Sequence, residues 1–297
     1  MHTIDPKSVS VGEFHSYLLG AVAPRPIAFA STVDGKGNVN LSPFSFFNAF
    51  SANPPILIFS PARRVRDNTT KHTLENVHEV PEVVINIVDY AMVEQMSLAS
   101  TEYDKGVNEF QKSGLHEIAS RIVKPPRVAE SPASFECKVN EVIALGDGGG
   151  AGNLIICEVL LGHFNDSIFD NGGKIDPYKL DAVSRMGGNW YCRANGDALF
   201  EIPKPLATKG IGVDNLPDAI RLSHVLNGNN LGRLANVEDL PTEEDIQEFS
   251  LEPEVSAILE FFDDNTEALE EELHKLAKNF LDQNEVEKAW KTLLQST

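Results

Sequence analysis

Residues 40–47 read NLSPFSFF, a run in which polar side chains interrupt an aromatic, strand-like segment. Proline has no backbone N–H, so Pro43 cannot donate to a neighbouring strand and favours a sheet edge or a bulge. Such a strand leaves backbone N–H and C=O groups free to face a planar, hydrogen-bonding ligand, with Phe44, Phe46 and Phe47 as apolar walls. A kinked edge strand that binds nothing is the alternative explanation of the same residues.

Strand patterns surround this stretch throughout the first 200 residues. Apolar runs predict strands at 26–34, 39–50, 55–60 and 83–88, with a pair at 135–145 and 154–164, and helical patterns fall at 71–80 and 91–100. Five glycines lie between residues 146 and 152. They predict a hairpin loop rather than a phosphate cradle, because a strand follows and the GK[ST] ending of a P-loop is absent.

Helical periodicity replaces the strand pattern after about Ile202. Helices are predicted at 216–226 and around 255–262, followed by a stripe of Leu269, Leu273, Leu276 and Phe280 and a last helix with Val286, Trp290 and Leu294. Asn265 or Thr266 is the predicted cap of the first stripe, and Asn284 with Glu287 that of the last helix. The sequence therefore predicts a mainly β (α+β) domain at 1–204 and a helical C-terminal extension at 205–297.

Composition restricts the classes of function. The 297 residues carry a net charge of −19, of which residues 201–297 contribute −13. So acidic a surface repels nucleic acid and anionic lipid, so neither is an expected partner. Three cysteines without a CxxC spacing favour buried thiols over a metal site. No apolar signal segment and no 18-residue apolar run is present, so we expect a cytoplasmic protein that does not enter a membrane.

One basic segment contrasts with this acidity. Residues 63–73 (RRVRDNTTKHT) contain four Lys and Arg residues and three threonines just before a predicted helix. Cations and hydroxyls at a helix start suit a phosphate group, whereas a solvated loop with surface ion pairs is the alternative. The chain has no GxSxG, HExxH or GxGxxG motif that would indicate a hydrolase, a zinc protease or a Rossmann fold.

Several short motifs, in order along residues 15–200, resemble the flavin reductase-like family with the FMN-binding split β-barrel. They are APRPIA at 23–28, NLSPFSFF at 40–47, Ser60-Pro61 with Arg63, the KHT of 71–73, VIN at 84–86, GHF at 162–164, IDP at 175–177 and RMGGNWY at 185–191. His72 stands where the family usually has Asp. Residues beyond about 205 lie outside the family core, and either a helical arm that embraces a partner subunit or a lid over the flavin would explain them.

The resemblance implies a homodimer with FMN near the subunit interface. By motif position, the candidates for contact with the flavin ring are Asn40, Ser42, Pro43, Phe44, Ser45 and Phe46, and those for the phosphate are Arg63, Lys71 and Thr73. Arg64 or Arg66 is the alternative to Arg63, and Ser60 in the same motif is a further cofactor-binding candidate. Lys105 and His163 match positions of ring or ribityl contacts, against the alternatives of a surface lysine and a structural histidine.

The activity implied is that of an FMN-dependent oxidoreductase, most simply an NAD(P)H:flavin reductase with NADH or NADPH as electron donor. Flavin would stay bound or leave as reduced product for a partner monooxygenase. A flavoredoxin-like electron carrier without its own NAD(P)H activity is the alternative from another class, and a structural protein with a vestigial site is a third. Hydride transfer between nicotinamide and flavin requires no acid or base from the protein, which agrees with the absence of a catalytic triad.

Overall fold

The computed structural model describes residues 1–202 and 209–296. It divides into two compact units after Phe200. The boundary predicted between residues 204 and 205 lies outside the described residues.

The first unit is built on eleven strands among its described residues. They are β1 (Ala28–Val33), β2 (Val39–Phe44), β3 (Phe47–Ala52), β4 (Pro55–Phe59), β5 (Glu82–Asn86), β6 (Glu117–Ile118), β7 (Arg127–Val128), β8 (Ala133–Ala144), β9 (Asn153–Phe164), β10 (Val183–Arg185) and β11 (Tyr191–Arg193). Seven of them form one antiparallel sheet in the order β2-β1-β5-β8-β9-β4-β3.

The strand order shows that this sheet curls. Strands β2 and β3 form its two opposite edges, although only two residues, Ser45 and Phe46, separate them in sequence. Phe44 and Phe47 are three Cα–Cα steps apart and can be separated by at most about 11 Å, so the edges must approach each other. A curled sheet whose edges meet at a two-residue junction is a split barrel, as predicted for this half of the chain.

Apolar packing covers both faces of the sheet at β1. All six residues of this strand are buried. Ala28 and Ala30 pack with Phe59 and Ile85 in one core cluster, whereas Phe29 packs in a second cluster on the other face. Burial on both faces explains why β1 (AFASTV) carries no charged side chain and does not alternate between apolar and exposed polar residues.

Short helices connect the strands of this unit. They are α1 (Val11–Ala21), α2 (His72–Glu79), α3 (Val93–Leu98), α4 (Glu109–Ser113) and α5 (Pro177–Leu180). The hairpin of β8 and β9 is formed around the glycine-rich loop, as predicted. Cys137 and Cys157 are fully buried within this hairpin, and burial raises the pKa of the Cys137 thiol to about 12.

The second unit is helical where the structure describes it. Its helices are α6 (Asp218–Arg221), α7 (Gly228–Leu234), α8 (Glu243–Phe249), α9 (Pro253–Phe261), α10 (Thr266–Asp282) and α11 (Val286–Leu293). Trp290 and Leu281 lie in its core, each no more than 1 % exposed. A mainly β domain followed by a helical region was the predicted arrangement, and it is confirmed.

Three details of the helical prediction are wrong. The helix predicted at 216–226 is reduced to α6, because the Ser223 hydroxyl accepts the backbone N–H groups of Val225 and Leu226 and turns the chain. Asn284 does not cap α11; it adopts a left-handed conformation (φ 64°) just after α10. The buried stripe of α10 is shifted from the predicted one: Leu273 is buried as predicted and the stripe continues through Ala277 and Leu281, whereas Leu269, Leu276 and Phe280 are only partly buried.

No helix among the described residues is long and apolar enough to cross a membrane. Within the same residues, no three His, Cys, Asp or Glu side chains come together as a group that could hold a metal ion.

Candidate functional site

A small polar cleft lies beside β2, where the N-terminus of α2 and residues 100–103 approach the strand. Its lining residues are Asn40, Ser42, Arg64, Lys71, His72, Ser100, Thr101, Glu102, Tyr103 and Glu109. Of the residues predicted to bind a cofactor, the structure brings Asn40, Ser42 and Lys71 together here. Arg64, the predicted alternative to Arg63, joins them.

A buried hydrogen-bonded network forms one wall of the cleft. The Thr73 hydroxyl donates to Asn40 Oδ1 (2.8 Å), and Asn40 Nδ2 donates to Glu109 Oε1 (2.8 Å). The other Glu109 oxygen accepts the backbone N–H of Leu41 (2.9 Å). Burial raises the pKa of Glu109, while its hydrogen bonds act in the opposite direction. Thr73 is only 1 % exposed, so in this structure its hydroxyl positions Asn40.

The outer edge of β2 explains the proline in the motif. The backbone N–H of Leu41 points away from β1 and donates to Glu109. Residues two apart in a strand have the same orientation, so the backbone nitrogen of Pro43 also points away from β1. Pro43 therefore occupies an edge position where no ladder bond is lost. Phe44 packs into the core with its ring centroid 5.4 Å from that of Phe59, so its side chain is not the apolar wall expected from the sequence. Phe46 is 38 % exposed.

The basic segment is held in place by the glycine-rich hairpin loop. Arg63 N–H donates to the Ala151 carbonyl (2.8 Å), and Gly150 N–H donates to the Arg63 carbonyl (3.0 Å). A Cβ atom on Gly149 would lie 2.9 Å from the Val65 carbonyl oxygen, so this close approach requires glycine. The glycines thus shape the basic segment by packing against its backbone.

The four cations of the basic segment fall into two groups: Arg63 binds within its own loop, and the other three share one carboxylate. The Arg63 guanidinium donates to Oδ1 and the backbone oxygen of Asn68 (2.6 and 2.7 Å), which closes the loop on itself. Arg64, Arg66 and Lys71 instead contact one carboxylate, that of Glu102. Arg64 also donates to the Thr69 hydroxyl (2.9 Å), and only 15 % of its side chain is exposed.

Two further candidates make local contacts. Lys105 forms an ion pair with Glu75 (3.0 Å) and is half exposed. Ser60 is buried, and its hydroxyl accepts the backbone N–H of Asn153 (3.1 Å), which ties β4 to the start of β9.

His163 belongs to a different polar cluster. Its Nε2 lies 2.7 Å from Oε1 of Glu136, a carboxylate that is fully buried. Glu136 also accepts backbone N–H groups from Arg121, Ile122 and Val123 (2.8, 2.7 and 3.3 Å). The lining of the cleft, as far as the structure describes it, does not include His163.

Arg25 is a central residue that was not selected as a site residue from the sequence. It is 6 % exposed, and its guanidinium donates to the carbonyls of Leu19, Val22 and Met186 (Leu19 at 2.7 Å and Met186 at 2.9 Å). Its Nε also lies 3.5 Å from the Ser45 hydroxyl. Burial lowers the pKa of Arg25, and Arg185 adds to this. Its place in the 23–28 motif was the available signal, because an arginine within an apolar run needs buried acceptors.

The donor set of the cleft fits a phosphate monoester. Arg64 and Lys71 supply positive charge, and Ser42 and Thr101 supply hydroxyls beside them. Charged donors of this kind form the strongest hydrogen bonds to phosphate oxygens. The neighbouring edge strand adds the polar side chains of Asn40 and Ser42, so the residues present are compatible with FMN.

Comparison with known proteins assigns the chain to a family. The model of the flavin reductase like domain matches residues 20–178, more than half of the chain. The chain belongs to this family. The matched region contains the cleft, the basic segment and the seven-stranded sheet, and it ends before the helical unit.

Particular relatives agree with the family assignment. An uncharacterised protein from Halalkalibacterium halodurans is 40 % identical over 190 residues, which cover 63 % of this chain and 90 % of that protein. Component B of nitrilotriacetate monooxygenase from Bacillus cereus superposes with a TM-score of 0.63 at 29 % identity, over 68 % of this chain and 98 % of that one. A split barrel domain protein from Shewanella frigidimarina NCIMB 400 gives 0.58 at 26 % identity, over 69 % and 99 %.

Proposed function

We propose that this protein binds FMN in the cleft beside β2 and acts as an FMN-dependent oxidoreductase, most simply an NAD(P)H:flavin reductase. The observation that carries the proposal is the convergence of Arg64 and Lys71 on a polar cleft beside an edge strand, in a chain of net charge −19. Membership of the flavin reductase like domain family supports the choice of a flavin as the ligand.

Each part of the cleft has a proposed task. Lys71 and Arg64 bind the phosphate, and Arg63 acts there only if it exchanges its bonds to Asn68. Ser42, Pro43, Ser45 and Phe46 border the flavin ring. Asn40, held between Thr73 and Glu109, fixes the strand that carries these residues.

The roles of Lys105 and His163 follow from their partners. Lys105 is exposed enough to leave Glu75 for a ligand. His163, bound to a buried carboxylate, acts mainly as a structural residue.

The redox chemistry belongs to the cofactor. When bound, the flavin accepts electrons from NADH or NADPH and passes them to an acceptor such as a partner monooxygenase. The protein contributes binding, orientation and charge, and the buried Glu109 network keeps the strand beside the ring rigid.

An absorption spectrum and a titration test this proposal. The purified protein, or the apoprotein titrated with FMN, should show the two long-wavelength bands of oxidised flavin. Oxidation of NADH or NADPH, measured with and without added FMN, then separates the two functional classes. A protein that binds flavin but does not accelerate this oxidation would be an electron carrier of the flavoredoxin type, and one that binds no flavin would refute both.

We also propose a homodimer, with part of the interface on the edge of the barrel. Strand β3 is an edge of the sheet, and Phe50 on it is 63 % exposed. Exposed aromatic side chains on an edge strand favour association. Light scattering at micromolar concentration should give about twice the chain mass of 32.5 kDa. A value equal to the chain mass would contradict the dimer.

A further inference from the structure

The carboxylate of Glu102 is seated among three cations of the basic segment. Arg64 Nε lies 3.0 Å and Lys71 Nζ 3.4 Å from Oε1, and Arg66 Nη2 lies 2.5 Å from Oε2. Both carboxylate oxygens are therefore engaged, as the oxygens of a bound phosphate would be. Glu102 is more than 30 residues from these cations in sequence and belongs to residues 102–104, which form neither helix nor strand.

Two of these cations, Arg64 and Lys71, are the ones proposed to bind the ligand phosphate. Arg64, Lys71 and Glu102 all line the cleft. A phosphate monoester carries nearly two negative charges at neutral pH. A phosphate placed beside Glu102 would be repelled by the carboxylate, and Arg64 and Lys71 would already be paired with that carboxylate. The Glu102 carboxylate and a phosphate cannot both be well bound by Arg64 and Lys71.

Protonation does not relieve this conflict. Hydrogen bonding from Arg64, together with the charges of Lys71 and Arg64, holds the pKa of Glu102 below its ordinary value. Hydrogen bonds from the hydroxyl and backbone N–H of Thr69, together with Arg66 at 3.1 Å, lower the pKa of Asp67, the other acidic group of the cluster, to about 2. Both carboxylates are therefore charged at neutral pH.

We propose that Glu102 is an internal competitor of the ligand phosphate. Its carboxylate is bound by Arg64 and Lys71, and a phosphate monoester displaces it from them when it binds. The 37 % exposure of its side chain and its irregular backbone allow this exchange by side-chain rotation. This inference rests on the proposed binding of FMN and adds a regulating residue to that site.

The competitor sets how strongly the site selects phosphorylated flavin. A weakly charged anion cannot displace Glu102, whereas a dianion held by several charge-assisted bonds can. Removing the carboxylate should therefore tighten FMN binding without changing the affinity for riboflavin, which has no phosphate. If Glu102 instead positioned the cations for the ligand, its removal would weaken FMN binding. The two roles predict changes of opposite sign.

Titration of the full-length apoprotein with FMN and with riboflavin, followed by flavin fluorescence, separates these roles. Glu102→Gln should lower the FMN dissociation constant about tenfold and leave that of riboflavin within about twofold. Glu102→Ala should shift FMN in the same direction, and circular dichroism shows whether each variant is folded. Glu271→Gln is the matched control, because it makes the same change in net charge but pairs with Lys275 in α10.

The outcomes are distinct from those of the proposed function. Unchanged or weaker FMN binding by folded Glu102→Gln, with a parent protein that binds FMN, overturns the competitor and leaves the proposed function intact. Equal tightening of FMN and riboflavin also overturns it, because a phosphate is then not what Glu102 opposes. A parent protein that binds neither flavin refutes the proposed function and this inference with it.

Discussion

The first unit buries many more polar side chains than the second, whose described core is mostly apolar. In the first unit, buried polar groups tie neighbouring strands together: Asn86 of β5 is fully buried, donates to the Phe29 carbonyl of β1, and accepts from Val128 N–H of β7 and the Ser134 hydroxyl of β8. In the second unit, apolar stripes such as Leu273, Ala277 and Leu281 form the core. Buried polar networks fix specific geometry at the risk of large penalties when broken. The unit that carries the cleft is the one built in this way.

The largest effect expected from this difference is at Glu136. This carboxylate is fully buried and accepts three backbone N–H groups as well as His163. Glu136→Ala should lower the free energy of unfolding by about 3–5 kcal/mol, because it removes a buried carboxylate on which three backbone N–H groups and His163 converge. Urea unfolding followed by circular dichroism measures the loss.

Glu141→Ala is the matched control for this substitution, since Glu141 is an exposed glutamate on the same strand, β8. It should change stability by no more than about 0.5 kcal/mol. Similar losses in both variants would show that the buried network contributes little, and the contrast between the two units would then fail.

In the helical unit, the loss of apolar volume should have the main effect. Leu281 is fully buried, and Leu281→Ala should cost about 2–5 kcal/mol through lost burial and the cavity left behind. Fluorescence of Trp290, which is 1 % exposed, reports unfolding of this unit, since the other tryptophan, Trp190, is already 76 % exposed. Leu251 is 78 % exposed, so Leu251→Ala should leave the midpoint of this unfolding transition unchanged. A large shift in that control would contradict this account of the core.

The difference between the units also determined how much the sequence could predict. Periodicity identified the strands of the sheet and the helical character of the last third, because these follow from which residues are apolar. Of the two caps predicted for α10, Asn265 or Thr266, the structure has Asn265, whose side chain accepts the Ala268 N–H (3.2 Å). The capping prediction failed at Asn284, since a capping pattern is indistinguishable in sequence from an asparagine that turns the chain after a helix.

The candidate site was predictable by residue type but not by contact. The basic segment stood out in an acidic chain, yet nothing in its sequence shows that Arg63 closes its own loop while Arg64 reaches the cleft. Glu102 and Glu109 lie outside the motifs, and only the fold brings them against β2 and the basic segment. Long-range pairing of this kind depends on tertiary contacts that local patterns do not encode.

The next smaller effect is the loss of affinity for FMN when a cation of the cleft is replaced. Lys71→Ala and Arg64→Ala should each weaken FMN binding about ten- to a hundredfold, or about 1.4–2.7 kcal/mol, while riboflavin binding changes little. Arg63→Ala should have a smaller effect through the shape of the loop, because its guanidinium is bound to Asn68. Isothermal titration with both ligands measures the contrast.

Lys138→Ala, at an exposed lysine on β8, is the control for the loss of one positive charge. If it weakens FMN binding as much as Lys71→Ala does, long-range charge rather than contact at the cleft accounts for the effect. Equal loss of riboflavin in Lys71→Ala would likewise refute a phosphate contact. A larger effect for Arg63→Ala than for Arg64→Ala would assign the phosphate to Arg63.

The smallest effect is a pH dependence of the stability of the helical unit. It arises from a buried histidine that forms a hydrogen bond at only one of its two ring nitrogens among the described residues. His274 is 2 % exposed, and its Nδ1 lies 2.8 Å from the Ser223 hydroxyl. That hydroxyl accepts N–H groups from the backbone and so donates its own hydrogen to Nδ1, which requires a neutral ring. The Nε2 atom is buried with no hydrogen-bond partner among the described residues.

Burial lowers the pKa of His274, against a smaller opposing effect of Glu270. Below the ordinary histidine pKa of about 6.5, the unfolded chain therefore binds a proton that the folded unit does not, and stability falls as the pH falls. Between pH 7.5 and 5.5 this linkage is worth at most about 1.4 kcal/mol. Urea unfolding followed by Trp290 fluorescence at the two pH values should show a smaller decrease for His274→Gln than for the parent. The exposed His224, replaced by Gln, should leave the parent's decrease unchanged, and an equal decrease in all three proteins would show that His274 is not its source.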